Sequence, residues 1–102
     1  MGVICMFDLP MDTSKEKRQY RIFRKELVRN GFEMLQYSVY YRTVPNRSAG
    51  KKYISNLKDF LPEHGEVRLF NITDKQFDDT VLLVGSKSHQ EKIVGAKELV
   101  II

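Results

Sequence analysis

Asp8 is the side chain with the most to offer chemically. It follows the longest apolar run of the chain, Val3 to Phe7, and is itself followed by Leu9-Pro10. A carboxylate in that position is expected at a rigid sheet edge rather than on a loop, which is the placement a divalent cation requires. One carboxylate makes a poor Mg²⁺ site. Two copies of Asp8 brought together by a two-fold axis close to the first strand would flank one ion, with waters and phosphate oxygens completing the shell. Spacing alone favours the plainer reading, in which Asp8 begins a turn or caps the helix that follows.

The remaining candidates carry less. Asp8 and Asp12 stand four apart, which is not the paired-aspartate motif of the haloacid dehalogenase phosphatases, and 102 residues are too few for that fold. Asp74, Asp78 and Asp79 lack the glycine and distal glutamate of a calcium loop, so a solvated turn is expected over 74–79. His64 and His89 have no cysteines or carboxylates at ligand spacing and read as surface histidines. The single cysteine, Cys5, lies inside the apolar run; it is expected to be buried, and it excludes an intrachain disulfide or a cysteine metal cluster. A Gly-rich phosphate loop, HExxH, CxxC and a nucleophile elbow are all absent, as is the paired-aromatic signature of RNA-recognition domains. Tyr37, Tyr40 and Tyr41 have faces on which bases stack, but aromatic residues on strands more often pack cores and interfaces.

Charge points to a polyanion. The formal net charge is +4, and it is segregated: residues 15–58 carry 12 Lys/Arg against 3 Asp/Glu, the rest of the chain 5 against 10. A basic block within a folded domain is the footprint of nucleic-acid phosphate binding, although a single basic helix face is also what ordinary solvation produces. Arg18, Arg21, Arg24, Lys25 and Arg29 fall mostly off the apolar stripe of the first helix and are the leading candidates for phosphate contacts. Arg42, Arg47, Lys51 and Lys52, around the second helix, are the weaker ones.

These side chains need elements to place them. Gly2 to Phe7 reads as a strand buried on both faces and ended by Pro10. Thr13 and Glu16 have capping-box spacing, and Tyr20, Phe23, Leu27 and Val28 recur at helical intervals until Asn30-Gly31, so a helix is expected over about 14–30. Residues 32–44 are aromatic and β-branched, one long bent strand or two short ones. A loop over 45–50 precedes a second helix carried by Tyr53, Ile54, Leu57, Phe60 and Leu61 and stopped by Pro62 and Gly65. Strands are expected over 66–73 and 80–85. A terminal apolar strand over about 98–102 would be aggregation-prone if unpaired, so it is expected to join a partner's sheet edge. At 42% hydrophobic and 29% charged residues, the composition is that of a soluble globular domain, with no run long enough to span a bilayer. The expectation is one α+β domain over 1–102: a ferredoxin-like β-α-β-β-α-β sandwich, in the cytoplasm, with a homodimer to supplement a thin core.

Taken together, Phe7-Asp8-Leu9-Pro10, the helix Arg18 to Lys25, Gly31-Phe32 leading to Gln36-Tyr37-Ser38-Val39-Tyr40, the strand Glu66 to Phe70 and the terminal strand resemble a known family. It is the smaller of the two CRISPR adaptation proteins, the Cas-two family, with a flavour closest to type II systems. The resemblance covers essentially the whole chain. It implies a ferredoxin-like fold, a homodimer in which the C-terminal strand crosses to the partner, and a metal-dependent ribonuclease or deoxyribonuclease whose Mg²⁺ (or Mn²⁺) is held by Asp8 from each protomer. It further implies that the dimer bridges dimers of the CRISPR adaptation integrase and holds double-stranded DNA for insertion as a new spacer, with single-stranded RNA as another substrate. Where members often have Phe followed by an acid, this chain has Tyr40-Tyr41-Arg42, so metal affinity is expected to rest on the paired Asp8.

Three functions compete at this level. A duplex-holding scaffold explains the basic block, and a nuclease explains Asp8. A toxin-type metal-dependent RNA interferase or a regulatory module outside CRISPR would share the fold. An Asp8→Asn variant separates the first two, since a scaffold keeps duplex binding and a nuclease loses turnover.

Overall fold

The computed structural model describes residues 1–85; the terminal strand expected over 98–102, and His89, lie outside them. Strand β1 (Gly2–Asp8) leads into helix α1 (Ser14–Arg29), the hairpin β2 (Glu33–Gln36) and β3 (Val39–Thr43), helix α2 (Arg47–Leu57), a 3₁₀ turn over 58–60, strand β4 (Glu66–Ile72) and the short helix α3 (Asp74–Asp78). The sheet order is β2-β3-β1-β4 with every neighbouring pair antiparallel. The two β-α-β units are thereby split around each other, the ferredoxin-like arrangement of an α+β domain.

The period-2 alternation of β1 builds two apolar clusters, one on each face of the sheet. Val3, Cys5 and Phe7 face the helices and meet Phe23 and Leu27 of α1, Tyr53 and Leu57 of α2, and Phe32, Tyr40 and Val44. Phe7 lies edge-on to Phe23 at 5.3 Å and stacks on Tyr40 at 5.7 Å. On the opposite face Ile4 packs with Tyr41 and Phe77, bordered by Leu35, Val39 and Ile72.

Helix α1 starts at the expected capping box. The Glu16 N–H donates to Thr13 Oγ1 (3.1 Å), and the Thr13 N–H donates to Glu16 Oε1 (3.0 Å). It stops in a Schellman motif: Gly31, at φ +83°, donates to the Val28 carbonyl, and the Phe32 N–H reaches back to Leu27. That turn drives Phe32 into the core, edge-on to Tyr53 at 5.8 Å. Of the expected stripe, Phe23 and Leu27 are buried but Val28 is half-exposed.

Three expectations need correction. The loop over 45–50 is mostly helix, because Asn46 caps α2 by accepting from the Ala49 N–H (2.9 Å), and Gly50 lets the helix approach Val3 and Asn71 closely. The acidic stretch 74–79 is not a solvated turn. A second capping box, Thr73 with Gln76, starts α3, and Phe77, 2% exposed, stacks on Tyr41 at 4.4 Å. Residues 80–85 do not form the expected strand. Only Leu82 makes an isolated bridge, since an extended segment becomes a strand only where another strand runs alongside it.

Candidate nucleic-acid and metal site

Asp8 stands at the open end of β1, the central strand, so its backbone is fixed by pairing on both sides of the residues before it. Its direct partner across the sheet is Glu66, and Met6 is paired with Arg68. By alternation Asp8, Glu66 and Arg68 share the face away from α1 and α2. Met6, Phe7, Asp8, Glu66 and Arg68 line one concavity of about 230 Å³. Opposed Cβ atoms in such a pair lie about 5 Å apart and the diagonal Asp8 to Arg68 about 7 to 8 Å. Two carboxylates and one guanidinium therefore converge without neutralising one another: among the described residues the Asp8 side chain makes neither hydrogen bond nor ion pair.

The loop before β4 holds this edge in place. Gly65 has φ +96°, and a side chain there would collide with the Asp8 carbonyl oxygen and with Leu9 and Pro10. Next to it Lys15 at the start of α1 pairs with Glu63 (3.0 Å), and that ammonium holds the Glu63 carboxyl below its ordinary range. Glu16 is also held low, by the backbone N–H groups of the capping box.

Glu66 and Arg68 were not singled out from the sequence. The signal was present in β4, where charged Glu66 and Arg68 alternate with apolar Val67 and Leu69. Assigning them to Asp8 required the β1–β4 register.

The leading basic residues form a continuous surface. Arg18, Arg21, Lys25 and Arg29, at i, i+3, i+7 and i+11, lie along one row of α1. Like Arg24, all are exposed and without ion pairs among the described residues. The row faces outward from the helix layer, on the opposite side of the sheet from Asp8. Arg47 and Lys51 lie exposed on α2 beside β4, lining a concavity with Leu69, Phe70 and Asn71. Arg42 and Lys52 flank Tyr53, at 4.6 and 5.0 Å from its ring centroid. Arg42 is half-buried and is the least accessible of the nine.

The tyrosines separate cleanly: Tyr40 and Tyr41 are buried, one in each cluster, and Tyr37 is exposed. Cys5 is buried, and desolvation pushes its thiol up to about 12. Among the described residues no group of three His, Cys, Asp or Glu side chains is placed to hold a metal ion within one chain. Asp8 and Glu66 nevertheless supply hard oxygen donors, and Mg²⁺ is commonly held by one or two carboxylates with water and phosphate oxygens. In donor type these two carboxylates fit such an ion.

Fold and edge define a class: a ferredoxin-like domain with an open carboxylate edge on its central strand and a cationic outer helix. A family model described as CRISPR associated protein Cas2 matches residues 1–80, and the chain belongs to that family. A protein named CRISPR-associated endoribonuclease Cas2 from Ligilactobacillus salivarius (strain UCC118) is 41% identical over 87 residues, covering 85% of this chain and 86% of the relative. One of the same name from Acidovorax ebreus (strain TPSY) is 38% identical over 99 residues, covering 97% of each. Among solved structures, Streptococcus pyogenes Cas2 at pH 6.5 superposes with a TM-score of 0.64 at 20% identity, covering 83% of this chain and all of that one, which is a likeness of fold. No helix of the described residues is long and apolar enough to cross a membrane.

Proposed function

We propose that this chain acts in CRISPR spacer acquisition as a cytoplasmic homodimer of single 1–102 domains. It holds double-stranded DNA by its backbone and bridges dimers of the adaptation integrase. The observation that carries the reading is the row Arg18, Arg21, Lys25 and Arg29, outward-facing and unneutralised. Such a row suits phosphates spaced along a duplex and carries no base readout. Arg24, Arg47, Lys51 and Lys52 extend the cationic surface, with Arg42 contributing through its exposed edge. The dimer is completed at β4, which offers a sheet edge not paired by any described strand.

A second activity rests on the Asp8 edge and on the name of the relatives: metal-dependent endonuclease cleavage, with single-stranded RNA as the alternative substrate to DNA. Asp8, paired with its copy across the dimer axis and assisted by Glu66, would hold Mg²⁺ or Mn²⁺. The bound ion would stabilise the negative charge that develops on the attacked phosphate. Arg68 orients the phosphate from the same face and neutralises part of its charge. Membership of a CRISPR-associated family leaves the toxin-type RNA interferase without separate support.

Spacer integration by the purified integrase with wild type or Asp8→Ala tests the order of these roles. Because the basic row and Asp8 lie on opposite sides of the sheet, the variant is expected to bind duplex and integrate normally. Failure of integration with dimer and duplex binding intact would place the Asp8 metal site in the acquisition reaction itself.

A further inference from the structure

The hairpin tip beside the Asp8 edge carries an aromatic ring that the fold does not use. Gln36 pairs with Val39, so Tyr37 and Ser38 form a two-residue turn. Only Ser38 has positive φ (64°), whereas two-residue hairpins favour the primed turns and their glycines. A non-glycine residue is thus kept in the left-handed region. A bulge between Met34 and Gln36 accompanies the irregularity. Tyr37 is 88% exposed, more than any other large apolar side chain among the described residues. Yet the tip does not hang free. The Phe7 N–H donates to the Ser38 carbonyl at 3.0 Å, stitching the turn to β1 at the residue before Asp8.

A strained turn, anchored to the strand that carries the candidate carboxylate, therefore presents a bare phenol ring within a few residues' span of it. Burial does not account for the ring, and Tyr40 and Tyr41 already fill the cores. A flat aromatic face next to an edge that carries the Arg68 guanidinium suits a nucleobase, whose two faces become available only when it is unpaired and unstacked.

We propose that Tyr37 is a stacking platform for an unpaired base of a single-stranded nucleic acid, positioning the adjacent phosphate toward Arg68 on the Asp8 edge. This rests on reading the Asp8 edge as a nucleic-acid site, but the stacking itself needs neither metal nor cleavage. It makes the edge selective for single strands or frayed ends, while the duplex lies on the α1 row.

The chain contains no tryptophan, so Tyr37→Trp places a single indole at the tip. With EDTA present, a short single-stranded RNA is expected to quench its emission, and a sugar–phosphate oligomer of the same length without bases is not. Tyr37→Ala is expected to weaken binding of the RNA about 5- to 150-fold, the range for loss of base–aromatic stacking. Its binding of the base-free oligomer should be unchanged, and Tyr37→Phe should bind like wild type. Equal quenching by both oligomers, no quenching, or unaltered RNA binding by Tyr37→Ala overturns the proposal. Asp8→Asn keeps the two readings apart. Quenching that persists where neither wild type nor variant cleaves would retain Tyr37 and remove the nuclease, and cleavage with unaltered Tyr37→Ala binding would do the reverse.

Discussion

Asp8 combines a strand-paired backbone with a side chain that has no hydrogen-bond or ion-pair partner among the described residues, and Glu66 opposite it does the same. Asp8→Asn is expected to abolish metal-dependent cleavage while leaving Tm and duplex affinity close to wild type, readable in one cleavage assay and one binding titration. Arg68 lies on the same face, and its truncation to Ala removes a charge-assisted contact of about 1.5–3 kcal/mol. A roughly tenfold or larger rise in KM for cleavage is expected, with duplex binding at α1 unaffected. Cys5 behaves oppositely. Buried, with its thiol pushed up to about 12, it presents almost no thiolate at neutral pH, so alkylating reagents should modify it only as the protein unfolds.

Among elements, the two capping boxes show how local chemistry fixes the frame. Both have the same form, a threonine followed three residues later by Glu16 or Gln76. The first was legible because a long apolar stripe follows it. The second precedes a five-residue helix too short to show a periodicity, so the acidic residues of 74–79 point to a turn in the sequence alone. Phe77→Ala tests what α3 contributes: removing a ring stacked on Tyr41 is expected to cost about 3–5 kcal/mol in urea unfolding. At the first box, folding holds the Glu16 carboxyl below its ordinary range, chiefly through the Thr13 backbone N–H. The stability it adds is present above the ordinary carboxylate range and is lost as pH falls through the lowered native value. The Tm gap between wild type and Glu16→Gln should therefore be open at neutral pH and close on acidification. The helix over 47–50 is hidden in the sequence for a related reason. Proline and glycine suggested a break, whereas Asn46 is a helix cap and Gly50 a point of close packing against Val3.

For the whole molecule, the two proposed functions occupy opposite sides of one sheet, and their salt responses should differ. Duplex affinity is expected to fall steeply with ionic strength, and each of Arg18→Ala, Arg21→Ala and Lys25→Ala should lower the slope of log K against log salt by about 1. Deletion of residues 98–102 should shift the dimer toward monomer in analytical ultracentrifugation. The sequence by itself determined the α+β order of elements, both ends of α1, the burial of Cys5, the prominence of Asp8 and the segregation of charge. These are local properties, readable from periodicity, caps and composition. Only the tertiary structure decided that Glu66 and Arg68 join Asp8, that Arg42 is half-buried against Tyr53, and that Tyr37 is bare while Tyr40 and Tyr41 are buried. Each depends on the register between strands or on which face of the sheet a helix covers, and both are set by pairing between residues far apart in the chain.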